Sequence, residues 1–266
     1  CRMLIAQPKG SQFHVVDSFS KSVQLGHGLE ASGRLSRASI GRTVQALQIC
    51  RRKIEALDVK RMRLVATEAC RRAKNAGEFL KMVRRETGLP LEIIQPEEEA
   101  RLAVVSCAPL VSTRTEQLLV VDIGGGSTEL VWIDLSAVPR ADRPRAIMRL
   151  HAGFHPPQSP FPAAKVVDWI SVPLGVATLK DQFADVEDDA ARFALMSWFF
   201  EEKLADFSPY NAASPREGFQ IIGTSGTVTT VAASHLGLRR YDRTKVDGLR
   251  MTSDQIDRVI REYLSL

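Results

Sequence analysis

Residues 120–132 read VVDIGGGSTELVW, an apolar run carrying one acid, then three glycines and a serine, then a second apolar run. Two β-prone segments with so short and permissive a join are confined to a hairpin, because only a turn lets both lie in one sheet. A plain hairpin turn needs about two residues of special conformation, and this one has more. The excess predicts a turn with positive φ and no side chains, whose backbone N–H groups converge on a concavity fit for phosphate. Asp122, alone in its apolar strand, is costly to bury without a cation or hydrogen-bond donors, and Glu129 points back to the same turn. The two acids therefore predict a metal site for Mg2+ bound together with phosphate.

A second glycine turn, GTSGTVTT at 223–230, runs from a strand into a helix. Its small residues and the helix amino terminus make another anion site, with Gly223, Thr224, Ser225, Gly226 and Thr227 around it. Neither turn is a nucleotide loop of the GxxxxGKS/T type. A strand after Gly124, Gly125, Gly126 and Ser127 also excludes a dinucleotide fingerprint, which requires a helix there.

Around these turns, strand and helix signals alternate. Residues 1–26 read as antiparallel strands, and from Ser39 the residues Ile40, Val44, Leu47, Ile54 and Leu57 recur at helical steps. A buried strand is expected over 62–67, a helix over 75–87 closed by Gly88 and Pro90, and a strand over 91–95. Pro96 and the glutamates at 97, 98 and 99 fit the first turn of a helix over 96–106. A second half follows the hairpin: a strand near 166–175, a helix near 187–207, strand and helix at 219–236 and a closing helix from 253. The proline-rich span 139–165 predicts an extended surface insertion, and His151 and His155 within it, lacking a nearby acid or cysteine, are read as exposed and not as ligands.

With 266 residues the chain exceeds the roughly 150 expected of one domain, so two units are expected, here 1–102 and 103–266. Average composition and the absence of a bilayer-length apolar run predict a soluble protein without a membrane partner. A net charge of +5 suits a polyanionic partner. The basic clusters Arg51-Arg52-Lys53 and Arg84-Arg85 are short, however, and read as solvated helix faces, so no nucleic-acid partner is inferred. Four cysteines without a CxxC pair predict reduced thiols and a cytoplasmic setting. The start at Cys1 and the abrupt end in a helix predict a gene product longer at both ends.

In order and spacing, TEACRRAKNAGEFL, PEEEARL, VVDIGGGSTEL and GTSGTVTTVAA resemble the exopolyphosphatase and guanosine pentaphosphate phosphohydrolase (Ppx/GppA) family. The resemblance implies an α/β fold of two ribonuclease H-like domains, of the actin, Hsp70 and sugar-kinase type, with a phosphate-binding cleft between them. It implies Mg2+-dependent hydrolysis of the terminal phosphoanhydride of inorganic polyphosphate or guanosine pentaphosphate. Glu99 corresponds to the family's water-orienting base and Arg71 to its phosphate-binding arginine. Asp122 corresponds to a metal ligand, and Gly124 to Ser127 to the cradle of the transferred phosphate. A homodimer is also implied. One departure stands out: the family's first phosphate loop, Asp-x-Gly-Ser/Thr-Asn, would lie just ahead of CRMLIA. Its loss would favour a regulator that binds nucleotide or alarmone without turnover. A small-molecule kinase of the same fold ranks lower, since it calls for a catalytic aspartate where this chain has Glu99.

Overall fold

The computed structural model describes residues 1–9, 12–154, 162–209 and 217–265. It divides into two compact units, Cys1–Gln95 and Pro96–Leu266. The division falls ahead of the helix at 96–106, so that helix belongs whole to the second unit and is not cut after residue 102.

The first unit opens on an antiparallel hairpin, β1 (Arg2–Lys9) and β2 (Gln12–Ser20). A short helix α1 (Leu29–Ser32) leads to α2 (Arg37–Ala56), which starts where the Ser36 hydroxyl accepts the Ser39 N–H at 3.1 Å. The apolar stripe of α2, Ile40, Val44, Leu47 and Ile54, is buried in one cluster with Phe79 and Val83 of α4 (Ala76–Thr87). Gly88 ends α4 at φ 70°, its N–H reaching the Arg84 carbonyl at 2.9 Å. Between these helices lie β3 (Val65–Ala66) and α3 (Glu68–Arg72), and β4 (Glu92–Ile93) pairs parallel to β3. The buried strand expected over 62–67 is thus reduced to two residues, with Val65 38% exposed, because its partner is equally short.

The second unit begins with α5 (Pro96–Ser106), followed by the hairpin β5 (Gln117–Ile123) and β6 (Thr128–Asp134). Then come α6 (Arg143–Met148), β7 (Lys165–Val172), α7 (Val176–Gln182), α8 (Asp189–Leu204), β8 (Phe219–Thr224), α9 (Ser225–His235), α10 (Arg243–Val246) and α11 (Ser253–Leu264). The sheet runs β7-β6-β5-β8, antiparallel across the first three strands and parallel between β5 and β8. Alternation along the strands divides its two faces. Leu118, Val120, Val131 and Ile133 join Ala100, Val104 and Cys107 in one cluster; Leu130 and Val172 join Leu204 and Phe207 in another.

Residues 139–154 correct the expectation of an extended insertion. They form a 3-10 turn and α6, and they bury Ala146, Ile147, Leu150 and Phe154 in the core beside α5. The prolines shape helix starts here: Pro144 sits in the first turn of α6, where its missing N–H is no loss. His151 is exposed and His155 lies outside the described residues. All four cysteines are free, and burial pushes the thiols of Cys70 and Cys107 up to about 11. No described helix is long and apolar enough to cross a membrane.

Candidate active site

The register of the second unit's sheet builds the site. On the face covered by α5, Trp169, Val131, Val120 and Ile222 lie side by side across the four strands. One step along, at the ends where β5 and β8 both finish, the next residues in register are Ser171, Glu129, Asp122 and Thr224. An apolar floor thus gives way to a polar row at the carboxyl ends of parallel strands, where open α/β sheets take their ligands.

Glu129 is 2% exposed, yet carries a carboxyl group. Burial raises its pKa to about 7, and the nearby carboxylates of Glu99 and Asp122 push the same way, against hydrogen bonds from the Ser127 and Ser171 hydroxyls. The Ser171 Oγ donates to Glu129 Oε1 at 2.9 Å. Asp122 faces Glu129 across the β5–β6 ladder, and its Oδ1 is buried. Glu99 arrives from α5. Ala100, Ala103 and Val104 seat that helix on the sheet, and Glu99, one turn before Ala103, falls on the same side as the carboxylate row. Its neighbour Glu98 is held by Arg101 at 2.6 and 2.8 Å, and Arg101 also donates to the Leu150 carbonyl at 2.9 Å. The three glutamates of this turn therefore differ in surroundings, although the sequence presents them alike.

The glycine turn closes with the Gly124 N–H on the Ser127 carbonyl at 2.9 Å. Positive φ, expected here, is not what it uses: Gly124, Gly125 and Gly126 lie outside that region. Close approach explains the glycines instead. A Cβ on Gly175, between β7 and α7, would stand 2.4 Å from the Gly125 carbonyl carbon, 2.5 Å from the Gly126 nitrogen and 2.6 Å from the Gly124 oxygen. Val176 then donates its N–H to the Gly124 oxygen at 3.2 Å. A Cβ on Gly125 would meet nothing within 4 Å, so that side of the turn is open.

The second turn abuts the first. Thr227 Oγ1 donates to the Ile123 carbonyl at 3.3 Å, tying the start of α9 to the end of β5. Ser225 holds φ at 77°, uncommon for a residue with a side chain, and Thr224 caps α9. Gly223 has a packing reason of its own, since a Cβ there would stand 2.8 Å from Val228 Cγ1. Gly226 lies in the first turn of α9.

Within the second unit the structure thus assembles Glu99, Asp122, Glu129, Ser127 and both turns. Arg71 belongs to the first unit, where its guanidinium donates to Glu68 Oε2 at 3.0 and 3.2 Å and to the Ile94 carbonyl at 2.8 Å. Sequence reasoning missed Ser171 and Gly175. Counting in twos from Trp169 points to the first, but nothing local marks the second, whose contact is with a turn far upstream. Among the described residues no group of three or more His, Cys, Asp or Glu could hold a metal ion. Two facing carboxylates nevertheless suit Mg2+, which takes one or two such ligands and fills the rest with water and substrate phosphate.

The sequence profile of the Ppx/GppA phosphatase family matches residues 4–263. The crystal structure of the Aquifex aeolicus Ppx/GppA family member is 31% identical, with a TM-score of 0.70, over 100% of this chain and 75% of that one. An exopolyphosphatase-like protein is 25% identical with a TM-score of 0.79, over 98% of this chain and 73% of its own. An exopolyphosphatase from Cytophaga hutchinsonii shares the fold at 20% identity and a TM-score of 0.77, over 99% of this chain and 76% of that one.

Proposed function

Because the chain belongs to the Ppx/GppA phosphatase family, we propose that it hydrolyses the terminal phosphoanhydride of inorganic polyphosphate or guanosine pentaphosphate and releases orthophosphate. The observation that carries the reading is the convergence of Glu99 on the Asp122–Glu129 pair beside an open glycine turn.

Glu99 aligns a water molecule and takes its proton as the water oxygen bonds to the terminal phosphorus. The bond from that phosphorus to the bridging oxygen breaks, and the electron pair leaves with the shortened chain. Backbone N–H groups of Gly125 and Gly126 hold the phosphoryl oxygens on the open side of the turn, where the charge develops. Asp122 and Glu129 would hold Mg2+, which when bound offsets negative charge on the phosphoryl oxygens. Ser171 and Ser127 orient Glu129 by hydrogen bonds. The same proposal assigns the second unit to the ribonuclease H-like fold, on the strength of three antiparallel strands and a fourth parallel to the first.

Phosphate release from long-chain polyphosphate and from guanosine pentaphosphate, with magnesium, is compared for the parent and Glu99→Gln. The expected loss is about 10²–10⁴-fold with substrate binding retained. The faster substrate identifies the branch. Binding without release in the parent would replace the hydrolase by a non-hydrolytic regulator.

A further inference from the structure

The two units differ in charge far more than the whole chain shows. Cys1–Gln95 carries 18 Lys and Arg against 8 Asp and Glu, a net charge of +10, whereas Pro96–Leu266 carries 18 against 23, a net of −5. The carboxylate row belongs to the acidic unit, so an excess of cations in the other one is not needed to balance it locally.

Within the basic unit, two clusters that look like separate solvated faces in sequence come together. Helices α2 and α4 share one core. A groove of about 390 Å3 opens beside them, lined by Gln48, Arg51, Arg52, Glu55, Glu86 and Thr87. Arg51 Nη1 comes to 3.7 Å from where a Cβ on Gly88 would stand, which brings the α2 arginine to the end of α4. Arg84 and Arg85 occupy the last turn of α4.

The acids of the groove are already taken. Arg51 holds Glu55 at 2.7 Å and Arg85 holds Glu86 at 2.7 Å, and Arg52 and Arg84 stand outside these two pairs. The ordinary reason for cations here is the negative pole of a helix end, equivalent to roughly half a charge per helix. Two helix ends therefore account for about one positive charge, and the four arginines less the two glutamates leave more than that. Base-stacking aromatics, on which single-stranded nucleic acid binding relies, are missing: residues 1–95 contain no tryptophan or tyrosine.

We propose that the groove beside α2 and α4 is an accessory binding site for a linear inorganic polyanion, condensed phosphate, recognised by charge density alone. It is built from first-unit residues only and stands or falls independently of the hydrolytic reading. Chains long enough to engage several arginines release more counterions and bind more tightly than short ones.

Binding is measured in chelator, where turnover stops, by titrating the protein with long-chain polyphosphate, with tripolyphosphate and with a single-stranded RNA homopolymer over a range of salt. The parent is compared with Arg52→Glu/Arg84→Glu, whose exposed positions leave the fold intact, as an unchanged melting curve would verify. The variant is expected to lose long-chain affinity by at least about tenfold and to flatten the slope of log affinity against log salt by about 2. Tripolyphosphate hydrolysis with magnesium should stay at the parental rate, a separate readout of the carboxylate row. Equal long-chain affinity in parent and variant, or no binding by the parent, would overturn the site. RNA bound as tightly as polyphosphate and lost equally in the variant would overturn the inorganic ligand.

Discussion

At the scale of residues, Glu129 is the group whose environment departs furthest from what its type prefers. Its pKa, ordinarily 4.5, stands at about 7 in the fold. The folded chain therefore keeps a proton that the unfolded chain gives up, and stability is full below the ordinary carboxylate range and falls as pH rises from about 4.5 through 7. Glu129→Gln should abolish that falling limb and, without metal, raise stability at pH 8 by roughly 2–3 kcal/mol, as denaturant titrations at pH 5 and 8 would check. Two glycines make a second test. Gly175→Ala forces a methyl into the Gly124–Gly126 backbone and should destabilise by about 1–3 kcal/mol. Gly125→Ala meets open space and should melt near the parent, yet lose most phosphate release if a phosphoryl group occupies that space. An alanine variant at 125 with parental activity would count against the turn as a phosphate cradle.

Elements were legible in proportion to how local their causes are. The hairpin of β5 and β6, the capped α2, the Gly88 stop and the Pro96 start each follow from a few neighbouring residues, and each lies close to where the sequence places it. The span 139–154 did not, because its prolines signal surface while Ile147 and Leu150 are drawn into the core by α5, a contact with no local signature. Gly175 was invisible for the same reason. The glycine turn was legible as a site but not in its cause, since close approach of another backbone leaves the same residues as positive φ would. Helix α5 also carries the element-scale prediction. Arg101 fixes it to the Leu150 carbonyl while neutralising Glu98, with side chains only 16% and 20% exposed. Arg101→Ala should cost roughly 2–4 kcal/mol by stranding Glu98, and should lower the rate with little change in KM, since Glu99 rides on the same turn.

For the whole molecule, the division into two units with separate cores sets how damage spreads. Phe79, fully buried in the first unit, makes its contacts within residues 1–95. Phe79→Ala should destabilise by about 3–5 kcal/mol, and hydrogen exchange should quicken across residues 1–95 before the β5–β6 hairpin is affected. Uniform acceleration over both units would show them unfolding as one. The chain's modest total charge hid the opposite charges of these units, because composition averages over a boundary that only folding draws. The polar row across β7, β6, β5 and β8 has a bearing on descent as well as on chemistry. It exists because four strands are in step, and shifting β6 by one residue would turn Glu129 to the other face and bring Thr128 or Leu130 in its place. Lineages of this protein can therefore exchange side chains along the hairpin, but an insertion or deletion of a single residue there removes the carboxylate pair and the buried face together. Its length is fixed where its composition is free.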